Sequence, residues 1–210
     1  MVAIFKRIPK STFLLLSIIS FVFVLPLLNQ FALINLFNAI AYSLILLSIF
    51  SIIDNKTRFL KYMIIVAIAF IWLMFFSDSK LNRYLAFLFS VLVFTTATVV
   101  MIMQIVSSKT VTGKVIIETI CGYLLIGVIF GFLNSVILWI NPGAIKLGDS
   151  RTISDIMYYS FITVTTIGYG DISPATPGAK SLSILFGVIS QLYLTIIMAL
   201  IIGKFLNDKS

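Results

Sequence analysis

The sequence predicts an all-α membrane protein: six transmembrane helices, with a short re-entrant helix and a glycine-bearing loop between the fifth and the sixth. Three observations predict it. The chain is 60% hydrophobic and 10% charged over 210 residues, with a mean hydropathy of +1.16. No water-soluble domain has that balance. Six apolar stretches reach or approach the roughly 20 residues a helix needs to cross a hydrocarbon core. Between the last two lies a stretch too short to cross, followed by Thr166-Ile167-Gly168-Tyr169-Gly170-Asp171.

The spans are expected at 11–28, 31–53, 59–76, 84–106, 115–140 and 181–203. Lys6, Arg7 and Lys10 precede the first run. That run is too long for a secretory signal and lacks a small-x-small cleavage site, so it is expected to stay as a span. Only Asn29 and Gln30 separate the first two spans, and Pro26 kinks or ends the first helix. One long bent helix is the competing expectation there. Asn35, Asn38 and Gln104 lie within or near spans and read as interhelical hydrogen-bonding groups, because each is otherwise unpaired in lipid.

With six spans both termini share a side. Ten of the 15 Lys and Arg then fall on it (Lys6, Arg7, Lys10, Lys56, Arg58, Lys61, Lys109, Lys114, Lys204, Lys209), against Lys80, Arg83, Lys146, Arg151 and Lys180 opposite. The termini are therefore expected in the cytoplasm, and the net charge of +8 reads as a topology signal, with no nucleic-acid partner implied. There is no His and one Cys, and the carboxylates do not cluster, so neither a metal site nor a nucleophile–base pair can be assembled and no enzyme is indicated. Cys121 reads as a buried small residue. Glu118 can pair with Lys114 at i, i+4 or sense pH near the cytoplasmic end of its span.

The stretch 155–165 is helix-compatible, yet eleven residues rise only about 16 Å, half a membrane. A half-helix followed by extended chain at that depth implies a re-entrant loop, since irregular backbone there must be satisfied by protein or water. Ser154 is the expected cap, and Asp155 sits at the positive end of the helix. The opposite end would aim a negative partial charge at a cavity. In the loop that follows, a dehydrated monovalent cation can be caged by stacked backbone carbonyls. Gly168 and Gly170 reach the positive φ this requires without steric cost.

On these residues the chain resembles the potassium-channel pore-domain superfamily, specifically its bacterial two-helix module. The resemblance runs from about Gly113 to Phe205. It rests on Gly122-Tyr123-Leu124-Leu125-Ile126-Gly127 in the outer helix, Tyr158 and Tyr159 in the pore helix, Thr163 through Asp171, and Ser173-Pro174-Ala175-Thr176-Pro177 before the inner helix. It implies a four-span region of unassigned role at 1–110, a pore domain at 111–210 and a fourfold homotetramer in the membrane. Thr166, Ile167, Gly168 and Tyr169 would coordinate K⁺, Gly170 would shape the outer mouth, and Asp171, Tyr158 and Tyr159 would support the filter. The Tyr169 ring would turn away from the ion and pack on pore-helix aromatics. Ile167 replaces the commoner valine without moving a carbonyl.

Three departures from the family pattern carry expectations. Tyr158 and Tyr159 stand where tryptophans are common, and Ile162 where some members have glutamate, so the Tyr158 hydroxyl is expected to bond Asp171. Ala179-Lys180 replaces Gly-Arg and keeps a positive charge. Ser190 occupies the usual hinge-glycine position, with Gly187 a turn earlier either bending the helix or admitting a close neighbour. Gln191, Leu194 and Met198 would share the cavity-facing stripe, Met198 as the gate candidate. No Arg or Lys lies between Leu85 and Met103, and Arg83 alone reads as an interfacial anchor, so voltage gating by the fourth span is not expected.

The expected function is a passive, potassium-selective channel of the plasma membrane, the bacterial inner membrane on the family resemblance, with membrane lipid as its surroundings. It needs no cofactor beyond K⁺ as permeant ion. Seven residues after Gly203 leave no room for a sensing domain, so the gating signal comes through the first four spans or from an unidentified regulatory protein. A potassium transporter subunit and a non-conducting regulatory protein with a relic pore are the alternatives.

Overall fold

The computed structural model describes residues 10–28, 33–53, 57–76, 80–108, 110–147 and 152–207. Helices stand at all the expected positions: α1 (Lys10–Ile19, continuing to Leu28), α2 (Ile34–Ile52), α3 (Arg58–Phe76), α4 (Lys80–Ser107), α5 (Gly113–Ile140), the short α6 (Ile153–Val164) and α7 (Pro177–Asn207). Two-residue strands β1 (Ile145–Lys146) and β2 (Ser173–Pro174) complete the order. Among the described residues, five helical segments are long and apolar enough to cross a membrane: Lys10–Leu28, Ile34–Ile52, Phe87–Ser107, Gly113–Ile140 and Pro177–Lys204. The chain divides into two compact units, Met1–Cys121 and Gly122–Ser210, the division falling inside α5.

In the first unit, α1 packs on α2, α2 on α3 and α3 on α4. Each helix buries one stripe at three- and four-residue spacing, as Leu60, Ile64, Ala67 and Ile71 do in α3 and Phe94, Ala97, Met101 and Ile105 in α4. The contact of α1 with α2, including the tilted Phe21–Tyr42 ring pair, excludes one continuous helix and leaves two spans. Asn29 and Gln30 themselves lie outside the described residues. Pro26 has its expected effect: α1 loosens into a π turn at Ser20–Val24 and tightens into a 3₁₀ turn at Leu25–Leu28, because proline gives no N–H and crowds the carbonyl four residues back.

The polar residues expected to link the spans do not do so. Asn35 is exposed and Asn38 and Gln104 are half-buried, and among the described residues none makes an interhelical hydrogen bond through its side chain. Serine and threonine hydroxyls instead bond back to carbonyls of their own helices, as Ser43 to Ala39 and Thr98 to Phe94. Lys10 Nζ reaches the Ser51 carbonyl at 3.3 Å, and Lys61 stands 5.2 Å over the Phe50 ring, so two cations gather at the C-terminal end of α2, where the helix dipole favours them. Lys114 and Glu118 form the expected i, i+4 pair at 3.7 Å. Cys121 is buried with its Sγ 3.9 Å from the Ser11 carbonyl.

The second unit is built on α5. Its span is 72% buried, against 22% for α7. Gly127 and Gly131, one turn apart, are seats for the short helix: a Cβ on Gly127 would meet the Phe161 ring at 2.8 Å, and one on Gly131 would meet Met157 at 2.6 Å. Phe161 and Met157 are likewise four residues apart, so α6 runs antiparallel to this segment of α5. Beside them Asn134 Nδ2 donates to Ser160 Oγ at 3.1 Å, both side chains fully buried. Helix α7 buries Phe186, Ser190, Tyr193 and Ile197, a single stripe, and leaves Ile184, Leu185, Val188, Leu192, Ile196 and Met198 exposed.

Candidate functional site

The site is the return of the chain from α6 to α7. Helix α6 is 12 residues, about 18 Å, and does not span. Its cap is Thr152 and not the expected Ser154. Thr152 Oγ1 accepts from Asp155 N at 3.3 Å, and Asp155 Oδ2 accepts from Thr152 N at 2.8 Å, a reciprocal capping box. The helix starts two residues earlier than expected because Asp155, placed third in the helix, reaches back to Thr152 and closes both bonds.

Beyond Val164 the backbone leaves the helical region in a regular way. Thr166, Gly168 and Gly170 have φ of 61°, 55° and 83°, while the residues between them stay at negative φ. Alternation of this kind turns successive carbonyls toward one side of the chain, where an ordinary strand would send them to opposite sides. The glycines adopt it freely, but Thr166 is β-branched and pays a steric penalty of about 1–2 kcal/mol in the left-handed region. Strain of that kind is held in place by the surroundings and concentrates at functional sites. Here the surroundings are on the helix: Thr166 N donates to Thr163 O and Gly168 N to Ile162 O, each at 3.0 Å. Two N–H groups of the segment are thus turned back to α6. No Cβ built at Gly168 or Gly170 meets a neighbour within 4 Å, so both glycines answer to φ alone.

Behind this strand the expected bond is present: Tyr158 Oη donates to Asp171 Oδ2 at 2.8 Å. That bond holds the phenol above its ordinary pKa, so it stays a donor at neutral pH. Tyr159 is buried and its hydroxyl meets Ser183 Oγ at 2.5 Å; Ser183 itself donates to the Ala179 carbonyl, which makes Tyr159 the donor to Ser183. The Tyr159 ring packs on Phe130, which stacks on Phe186 of α7. The Tyr169 ring is 73% exposed, so the expected packing on pore-helix aromatics is not made within one chain. Its aromatic neighbours on α6 face inward to α5 and α7, except Tyr158, which is held by Asp171.

After this segment, β2 pairs antiparallel with β1, Ile145 facing Pro174 and Lys146 facing Ser173. The buried Ala144 carbonyl takes both Ala175 N at 2.8 Å and Thr176 N at 3.2 Å. Thr176 then caps α7, with Pro177 at the first helical position, where a missing N–H costs nothing. Ala179 is buried and Lys180 exposed. On α7, Gln191 and Met198 are exposed and Leu194 is half-buried, so none of the three is used in packing the chain's own core. Gly187 has nothing within 4 Å of a built Cβ, which removes the close-neighbour reading of that glycine within one chain. Ser190, by contrast, is buried and bonded to the Val164 carbonyl.

Sequence reasoning missed Thr152, Asn134, Ser160 and Ser183. Asn134 had a signal as a residue, an amide three positions after Gly131 in the apolar part of α5, but none for its partner. Ser160 and Ser183 had none, because serine in a membrane helix is usually satisfied by its own backbone.

Over residues 118–207 the chain carries a pore domain of the potassium-channel superfamily; the family model that matches there is described as "Ion channel". Among curated proteins it is similar to the two pore potassium channel c of Oryza sativa subsp. japonica, 42% identical over 52 residues that make up 25% of this chain and 11% of the relative. It is also similar to two-pore potassium channel 2 of Arabidopsis thaliana, 28% identical over 92 residues, 44% of this chain and 19% of the relative. The chain thus matches less than a fifth of the length of these relatives. No solved structure matches it significantly.

Proposed function

We propose that the protein is a passive, potassium-selective channel in which four copies surround one axis and each contributes the strand from Thr166 to Gly170. The observation that carries this reading is the alternation of φ at Thr166, Gly168 and Gly170 directly after a helix of half-membrane length. Carbonyls of Thr166, Ile167, Gly168 and Tyr169, with the Thr166 hydroxyl innermost, replace the hydration shell of K⁺. Gly170 shapes the mouth. Asp171 held by Tyr158, and Tyr159 wedged between α5 and α7, keep the strand at fixed distance from the axis.

Assembly is supported by what one chain leaves open. Helix α7 has an apolar surface wider than the single stripe it buries, and the Tyr169 ring has no aromatic seat of its own. Neighbouring copies and lipid cover both. Gln191, Leu194 and Met198 line the cavity, with Met198 the narrow point. The cations gathered at one end of α2 support that end, and both termini with it, as cytoplasmic. With no Arg or Lys between Leu85 and Met103, the apolar stretch of α4 carries no charge for a membrane potential to move, and the channel does not gate through that stretch.

Purified protein in liposomes loaded with K⁺ tests the proposal. Efflux down the gradient, retained with Rb⁺ and absent with Na⁺ or Li⁺, is the expected result, with a tetramer mass for the same sample by native mass spectrometry. Equal Na⁺ and K⁺ fluxes would contradict the selectivity, and a selective monomer or dimer the assembly.

A further inference from the structure

We infer that Tyr123 and Ser190 are positioning residues that clamp the base of the filter strand from two helices, Ser190 linking α7 to it through a hydroxyl shared between two acceptors. The inference rests on the channel reading and adds to it a connection that the filter motif does not contain. The last carbonyls of a helix have no partner inside the helix. Val164 ends α6, two residues before the strained Thr166, and its carbonyl is met from both sides: Tyr123 Oη of α5 and Ser190 Oγ of α7 each donate to it at 3.0 Å. One carbonyl oxygen has lone pairs for both. Val164 and Ser190 are fully buried, so these two hydroxyls stand where water would otherwise be needed.

The surroundings are shaped for this junction. The Tyr123 and Tyr193 rings stack with centroids 6.3 Å apart, and a Cβ on Gly122 would overlap the Tyr193 hydroxyl. A larger residue at 122 would have to displace the Tyr193 hydroxyl and disturb its ring stacking on Tyr123.

Ser190 has one proton and two acceptors. Its Oγ lies 3.0 Å from the Val164 carbonyl and 2.9 Å from that of Gly187, three residues back in its own helix. One proton is divided between them, so strengthening either bond weakens the other. Donation to Val164 pins α7 to the filter base; donation to Gly187 leaves Tyr123 as sole donor there. Among the described residues nothing lies within 4 Å of a Cβ built on Gly187, so a bend of α7 at that turn changes the second distance and with it the balance between the two bonds. Movement of the part of α7 that carries Met198 thereby reaches the filter through a single hydroxyl.

The test is K⁺ binding by isothermal calorimetry in a Na⁺- and K⁺-free buffer, beside K⁺/Na⁺ reversal potentials, for wild type, Tyr123→Phe, Ser190→Ala, Ser190→Thr and the Tyr123→Phe/Ser190→Ala double variant. Each single loss should weaken K⁺ binding about fivefold, the worth of one neutral hydrogen bond. The double variant, which strands a buried carbonyl, should lose more than the product of the two, and Ser190→Thr should bind like wild type. Wild-type affinity in both Tyr123→Phe and Ser190→Ala would overturn the clamp and leave the channel intact. Ser190→Thr as weak as Ser190→Ala would show that the hydroxyl is not the agent. A wild-type protein that binds no K⁺ would bring down the channel reading itself, and the clamp with it.

Discussion

Thr166 is the residue at which the chain's local preferences and its geometry conflict most, since a β-branched side chain is held at φ 61° where glycine would sit without penalty. The conflict is resolved if the side chain is needed, as the proposed coordination of an ion by the Thr166 hydroxyl would require. Gly168 is the reverse case, with open space around it and a φ that an alanine would resist. Gly168→Ala should therefore abolish selective conduction by at least tenfold in flux while leaving the fold intact, checked by flux and thermal melting on one preparation. Tyr158→Phe removes the donor to Asp171 and should speed inactivation or raise relative Na⁺ permeability on the order of threefold; unchanged currents would exclude the bond from filter support. Because the bond holds the phenol above its ordinary range near 10, this support is present at neutral pH and is lost only as pH rises past that range. Selectivity should be flat from pH 7 to about 9, as far as this group is concerned.

At the scale of elements, the short helix decides the site's position, and α5 decides the helix's. Phe161 and Met157 sit on Gly127 and Gly131, so enlarging either glycine displaces α6 from its seat. Gly131→Leu should cost more stability than Thr152→Ala, which removes a helix cap worth about 1 kcal/mol; melting temperatures of the two variants check the order. The elements themselves were legible in the sequence, because a membrane leaves few choices for long apolar runs and Gly168 and Gly170 could be read from backbone chemistry alone. The cap was misplaced because both Thr152 and Ser154 precede the apolar run, and only the reach of Asp155 back to Thr152 separates them. The bonds of Asn134, Ser160 and Ser190 were not legible. They depend on which faces of three helices meet, which no spacing within one helix determines.

The chain divides into two units, one in which α7 leaves most of its apolar surface uncovered and one whose fourth helix has no Arg or Lys between Leu85 and Met103. In the proposed assembly one reason would cover both the Tyr169 cuff missing within one chain and the bare face of α7: a segment facing a symmetry axis finds its neighbours on other copies. Conductance should accordingly show little dependence on voltage beyond the ohmic driving force, and current families between −100 and +100 mV check this. The most direct measurement is the reversal potential of the purified protein in a planar bilayer with opposed K⁺ and Na⁺ gradients, recorded beside Gly168→Ala. The account predicts reversal close to the K⁺ equilibrium potential in the wild type and no such current in the variant. Reversal near zero, or a variant indistinguishable from wild type, would contradict it.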